Sequence, residues 1–280
     1  MEVGEGVTSI KPGDRIAASH HVPCDECWYC LSGHDTVCDT LRRTNFHPGG
    51  FSEYLRLPAI NVNKGVYVLP DGMSYDEATF IEPLACVLRG QKKANVRPGV
   101  SVLVIGSGIS GLLHIRLALA LGAALVVSTD INEYRIRAAK QSGAHAVLNA
   151  ASDVPAEFRK LNNNRGADAV ILTAGAPQAI AQAFDSVDRG GTVLFFAPAA
   201  GDATVPLPVN RLFWRNEITL TSTYAANPSE HRESMELILS GRVKVSDLVT
   251  HRLPLSREVE GFRLVAGAGE SIKVIITPQL

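Results

Sequence analysis

The stretch "VSVLVIGSGISGLLHIRLALALGA" constrains the fold more than any other part of this chain. Val102 to Ile105 is a short apolar run of the kind that forms a strand buried on both faces. Gly106, Gly108 and Gly111 follow as G-x-G-x-x-G, and Leu112 to Leu121 continues with helical apolar spacing until Gly122 closes the helix. Each glycine has a reason: the first makes the turn, the second lets backbone approach a pyrophosphate, and the third packs helix against strand. The helix start, from Ile109 onward, then offers unpaired N–H groups and a positive dipole end to the phosphates.

The surroundings of this turn carry the same meaning. A second apolar run, Leu125 to Thr129, ends at Asp130, nineteen positions after Gly111. A carboxylate there accepts hydrogen bonds from both ribose hydroxyls and repels a 2′-phosphate, which favours NAD over NADP. Arg135 is close enough in sequence to soften that preference; its alternative is a surface position on a helix. The alternation then continues with helix Glu133–Ser142, strand Ala146–Leu148, helix Val154–Leu161, strand Ala169–Leu172, helix Gln178–Val187, strand Thr192–Phe196 and a sixth strand at Ile218–Thr221. Six strands separated by helices predict an α/β domain with a doubly wound parallel sheet over residues 89–224. Gly175 falls just past the fourth strand, on the edge where ligands sit, and is expected to face the cofactor. The flanks, 1–88 and 225–280, read as a β-rich domain interrupted by the nucleotide domain, with short alternating runs such as "DRIAASH", "GFSEYLRLP" and "SIKVIITP".

Four of the five cysteines, Cys24, Cys27, Cys30 and Cys38, lie in "PCDECWYCLSGHDTVC" with the spacing C-x2-C-x2-C-x7-C. Four thiolates closing a tetrahedron are what a structural zinc takes, with no position left open for chemistry. An iron–sulfur run would bring the last cysteine earlier and follow it with Pro, whereas Asp39 follows Cys38. Disulfides belong to secreted chains, and "MEVGEGVTSIKPGDR" has neither the basic start nor the apolar middle of a signal peptide. A net charge of −1 provides no global attraction to nucleic acid or an acidic membrane. The apolar runs fall short of the ~20 residues of a membrane span. A cytoplasmic protein, whose thiols stay reduced, is therefore expected.

Together these pieces resemble the medium-chain dehydrogenase/reductase family, in its zinc-containing alcohol and polyol branch. The resemblance runs from "VGEGVTSIKPGDRI" through the cysteine lobe, "GGFSEYLRLP" and "EPLAC" to the glycine turn, "DRGGTVLFF" and "IKVIITP". It implies a Rossmann nucleotide domain beside a GroES-like domain that is truncated at its N-terminus, with NAD and zinc as cofactors and a homo-oligomer, dimer or tetramer. It also implies hydride transfer between NAD(H) and a secondary alcohol, polyol or sugar-like substrate, with a second zinc acting on the substrate oxygen. The Cys and Gly-His-Glu ligands of that zinc would lie upstream of the matching "VGEGV", so the catalytic metal site is expected to be incomplete.

Glu82, in "FIEPLAC", resembles the acidic residue that coordinates the metal or its water in polyol-type members; otherwise it is a helix-start charge beside Pro83. Cys86, one turn on, reads as a small buried thiol. His20, four residues before Cys24, stands where relatives place a substrate-pocket side chain, while His21, His47, Arg42 and Arg43 could recruit a polar substrate or simply be solvated. His114 reads as a packed histidine. A rival class remains: a non-catalytic protein that binds NAD and zinc, expected to show binding without turnover. The zinc-free quinone and enoyl reductase branch is disfavoured by the cysteine lobe.

Overall fold

The computed structural model describes residues 2–199, 201 and 203–278. They fall into two compact units, one of Val87–Thr223 and one of Met1–Cys86 with Tyr224–Leu280.

In the first of these, six parallel strands lie in the spatial order Ala146–Asn149, Leu125–Asp130, Ser101–Ile105, Ala167–Leu172, Val187–Phe195 and Thr219–Ser222. That is the doubly wound order in which the first strand in sequence lies near the centre and the strand order reverses beside it. The sequence explains the placement, because every residue of Ser101–Ile105 is buried and its neighbours are equally apolar. Leu103, Ile105, Val127, Val170, Leu172 and Val193 pack with Phe158 and Phe184 into one core. Helix Glu133–Gln141 starts at Asn132, whose side chain accepts from the N–H groups of Tyr134 and Arg135. Helix Val154–Leu161 starts at Asp153, which caps Ala156. The fifth strand is longer than expected. It begins at Val187, so "DRGG" lies inside it, with a register irregularity opposite Ala167–Ala169. Gly191 makes this possible, since a Cβ there would stand 2.8 Å from Asp188 O and 3.0 Å from Ala167 O.

His114 is fully buried in this unit, as its pattern predicts. Gln91 Nε2 donates to His114 O at 2.7 Å and to His114 Nδ1 at 3.2 Å, which puts the imidazole proton on Nε2. Phe196 meets the ring edge-on at 4.6 Å. Burial depresses the pKa of this imidazole to about 3.

The second unit is built from short elements. Ile16–Ala18 pairs antiparallel with Val66–Val68, and Val249–Pro254 pairs parallel with Lys273–Thr277, the helix Glu258–Ala266 lying between them in sequence. Helix Pro228–Leu239 opens with a capping box at Asn227 and Glu230. Helix Ile81–Lys93 contributes Ile81–Cys86. The segment "GGFSEYLRLP" has strand-like alternation, yet it makes only the isolated bridge between His47 and Arg56. Phe51, Tyr54 and Leu55 in it are exposed, Phe51 meeting only the Phe262 ring among the aromatic pairs, and alternation that buries so little of its apolar face does not produce a strand here. Among the described residues no helix is long and apolar enough to cross a membrane.

Candidate functional sites

The cysteine lobe folds locally. Cys24, helix Trp28–Leu31 and the turn before Asp39 bring four Sγ atoms within 4.8 Å of one another. The Cys24–Cys30, Cys27–Cys30 and Cys24–Cys38 separations are 3.9, 3.6 and 3.6 Å. Tetrahedral zinc with Zn–S of about 2.3 Å demands edges of about 3.7 Å, so these residues fit the metal. The thiols are electrostatically unequal. Burial opposes ionisation of Cys38, but the backbone N–H groups of Cys24 and Leu41 bring it down to about 6, while burial pushes Cys30 up to about 12. Two distant residues anchor the lobe. Lys64 Nζ donates to Cys24 O at 2.6 Å and pairs with Asp25 at 2.8 Å, and Asn227 Nδ2 donates to Asp35 Oδ2 at 2.8 Å.

The glycine turn is equally specific. Gly106 has φ +99°, and a Cβ on it would meet Thr173 Oγ1 at 2.8 Å. A Cβ on Gly111 would stand 2.0 Å from Gly106 O, so only glycine lets the helix close on the strand. Gly108 caps helix Ile109–Ala120 in extended conformation, and a Cβ there would meet nothing closer than the Arg135 guanidinium at 3.9 Å. That open backbone at a helix N-terminus is a cradle for a pyrophosphate. Asp130 lies beside it: Oδ2 accepts from the Ser107 N–H at 2.8 Å and Oδ1 from the Asn132 N–H at 2.9 Å. Asp130 and Arg135 thus flank the turn, and Arg135 Nε is buried without a hydrogen-bond partner. Gly175 is packed against residues 198–199, a Cβ there falling 2.3 Å from Pro198 O, so close packing accounts for it. The motif does not single out Ser107, although its N–H aims the Asp130 carboxylate while its hydroxyl bonds Ser128 Oγ at 2.8 Å.

Glu82 is half-buried and accepts from Cys86 Sγ at 3.1 Å, so Cys86 is a half-buried partner of the carboxylate and not an isolated packed thiol. Three basic groups feel the charge of Glu82. Lys273 donates to Thr79 O at 3.3 Å and stands 5.1 Å above the Phe80 ring; burial lowers its pKa and Glu82 opposes that. His231 is buried, with Nδ1 bonded to Asn227 O at 2.8 Å and its ring stacked on Tyr67 at 5.5 Å. Burial lowers the His231 pKa, the Asn227 carbonyl and Glu82 opposing it. His20 is likewise lowered by burial and by His21, with Glu82 acting the other way. Tyr67 Oη and His231 Nε2 are buried without hydrogen-bond partners, and burial pushes Tyr67 up to about 12. Lys273, His231 and Tyr67 carry no motif, and the sequence pattern does not bring them to Glu82. Arg42, Arg43 and His47 are exposed.

Among the described residues the four cysteines are the one cluster of three or more His, Cys, Asp or Glu groups arranged to hold a metal. Glu82 and Cys86 supply two donors and do not close a second metal site.

A doubly wound nucleotide unit with a glycine cradle and a unit carrying a four-cysteine lobe, in one chain, define the class of zinc-containing nicotinamide-dependent dehydrogenases. The zinc-binding dehydrogenase family model matches residues 110–240, and the alcohol dehydrogenase GroES-like domain matches residues 1–71. An L-threonine 3-dehydrogenase from Bacillus licheniformis is 32% identical over 284 residues, covering 99% of this chain and 79% of that protein. A sorbitol dehydrogenase from Bacillus subtilis is 29% identical over 281 residues, covering 99% and 77%. A solved zinc-binding dehydrogenase from Sinorhizobium meliloti 1021, bound to NADP, superposes with a TM-score of 0.86 at 25% identity, covering 99% of this chain and 80% of that one. The chain belongs to the zinc-dependent alcohol and polyol branch of the medium-chain dehydrogenase/reductase family, a family of oxidoreductases.

Proposed function

We propose that this chain is a dehydrogenase that moves a hydride between NAD(H) and a secondary alcohol, polyol or sugar-like substrate, with zinc in the cysteine lobe. The observation that carries the reading is Asp130, whose carboxylate is held by the Ser107 and Asn132 N–H groups beside the glycine cradle. In that place it takes ribose hydroxyls and disfavours a 2′-phosphate. Gly106, Gly108, Ile109 and Gly111 would hold the pyrophosphate, and Arg135 would lie along the adenosine side. Bound NAD supplies the hydride acceptor. The cysteine lobe braces its loop and takes no part in the chemistry. Glu82 is the carboxylate of the substrate site, and its two-donor surroundings leave orientation of the hydroxyl as its role. The protein is read as a cytoplasmic homo-oligomer.

The test is NADH binding followed by fluorescence, together with turnover of a panel of polyols and secondary alcohols by zinc-replete protein. Binding of NADH over NADPH with reduction of NAD supports the reading. A second reading, a non-catalytic NAD- and zinc-binding protein, is favoured by the absence of a second metal-holding cluster among the described residues. It predicts NADH binding with no turnover.

A further inference from the structure

The loop that carries the four metal-binding cysteines is acidic. Residues 23–39 hold Asp25, Glu26, Asp35 and Asp39, and neither lysine nor arginine. Four thiolates around one divalent zinc leave further negative charge uncompensated. Ordinary thiols are protonated at about pH 7 and zinc displaces their protons, so the closed site is more negative than the open one. A cation held close to the loop therefore favours closure around the metal.

Helix Ala59–Gly65 brings such a cation from outside the loop. Asn61, Lys64 and Gly65 share one face of it, as positions three and four apart do. That face lies along residues 19–25. Asn61 Nδ2, on a fully buried side chain, donates to both Ser19 O and His20 O at 3.0 Å, and the Ser19 N–H donates to Gly65 O at 2.8 Å. A Cβ at Gly65 would sit 2.6 Å from Val22 Cγ1, so helix and segment meet with no room for a side chain between them. Lys64 continues this seam into the loop. Its Nζ donates to Pro23 O at 3.3 Å and to Cys24 O at 2.6 Å, and pairs with Asp25 Oδ2 at 2.8 Å. The three N–H donors of one ammonium thus go to three successive residues. Asp25 takes φ +69°, a conformation Asp tolerates, and just beyond it the Cys27 N–H donates to Cys24 Sγ at 3.3 Å. Bond lengths alone keep the ammonium within about 8 Å of that sulfur.

We propose that Lys64 is the counter-charge and positioning residue of the metal loop, raising the zinc affinity of the four cysteines without ligating the metal. The inference rests on zinc in the cysteine lobe and does not depend on turnover. The loop supplies every ligand, and the helix supplies the positive charge the loop lacks. Two of the three Lys64 bonds go to main-chain carbonyls, which a simple surface ion pair with Asp25 does not need. Asp25 is also the more exposed partner, its side chain 62% accessible against 28% for Lys64. The ammonium is therefore turned toward the backbone of a ligand residue, and the carboxylate toward solvent. Neighbours outside the first coordination sphere act on metal affinity in this way by holding a ligand in place and by favouring its ionised form.

The experiment measures the zinc affinity of the whole chain by competition with a chromophoric chelator, at about 0.1 M and about 1 M salt. Lys64→Gln is expected to weaken zinc about tenfold or more at the lower salt. Its ratio to the native affinity should then shrink toward unity at the higher salt, because salt screens a charge and leaves packing alone. Lys64→Arg keeps the charge and is expected to hold most of the native affinity. Asp25→Asn keeps a residue at ease with positive φ and removes an acid, so zinc is expected to bind at least as tightly as in the native chain. Lys64→Met takes the place of Lys64→Gln should that variant not fold. A Lys64→Gln affinity within about twofold of native at the lower salt overturns the role. A loss that is equal at both salts, or is matched by Asp25→Asn, also overturns it and makes Lys64 a mechanical tether. Native protein that takes up no zinc overturns the zinc reading together with this role, whereas native protein with one zinc and an indifferent Lys64→Gln overturns the role alone.

Discussion

The cysteine lobe and the Glu82 neighbourhood lie in the same compact unit, yet they are built in opposite ways. The lobe draws all four ligands from residues 24–38, so its geometry is a property of one loop. Around Glu82, the groups that matter come from residues 20, 82, 86, 231 and 273, and no two of the basic ones share an element. A locally encoded site is all-or-none in a single residue. A distributed site loses function in steps, because each member also has a bond or a packed neighbour of its own.

That contrast can be broken by experiment. The largest effect is expected at the lobe: Cys38→Ser should take the bound zinc from one per chain to none by elemental analysis, since three thiolates no longer close the tetrahedron. Retention of a full equivalent would show that the lobe is not the metal site. Next comes acid sensitivity at His114. Its pKa, about 3 when folded, lies below the unfolded value of about 6.5, so the unfolded chain binds the extra proton between these values. Stability is fully present above about 6.5 and falls as pH drops through that window, by up to about 1.4 kcal/mol per pH unit. Denaturant melts of His114→Gln should show a flatter slope there, whereas an unchanged slope would place the sensitivity elsewhere.

Gly111→Ala drives a methyl into Gly106 O and should destabilise by about 3 kcal/mol in urea melts and abolish NADH binding. Asp130→Ala should weaken NADH about tenfold, roughly 1.4 kcal/mol, and narrow the gap to NADPH in the same fluorescence titration. An unaltered ratio would assign cofactor choice to another residue, Arg135 first. The smallest effect is expected at Glu82→Gln. Removing the carboxylate charge should cost about 1 kcal/mol of stability by leaving the half-buried Lys273 ammonium without it, and should lower the Lys273 titration further. A loss as large as that of Gly111→Ala would mean the distributed site is as brittle as the local ones.

The same division decided what could be read from the sequence. Strand, glycine turn and helix are contiguous, so their spacing carries Gly106, Gly108, Gly111 and Asp130 to one turn. The cysteine spacing likewise led to four Sγ atoms at zinc-like separations. Ser107 escaped notice because its contribution is a backbone N–H, which no side-chain pattern records. His231 and Lys273 escaped because their nearness to Glu82 depends on chain closure over some 150 to 190 residues. "GGFSEYLRLP" differs for another reason: alternation predicts a strand only where a second surface covers one face, and here Phe51 and Tyr54 stay exposed although the Phe51 ring meets Phe262 at 5.1 Å.

Asn227 connects the two kinds of site. Its side-chain amide holds Asp35 in the cysteine lobe, its side-chain oxygen caps Glu230, and its carbonyl accepts from His231 Nδ1. One residue is therefore a joint with three arms, reaching the metal loop, the start of a helix and an imidazole that senses Glu82. Replacing Asn227 would therefore release all three arms at once, so its effect on the metal loop and on the imidazole is expected to come as one event.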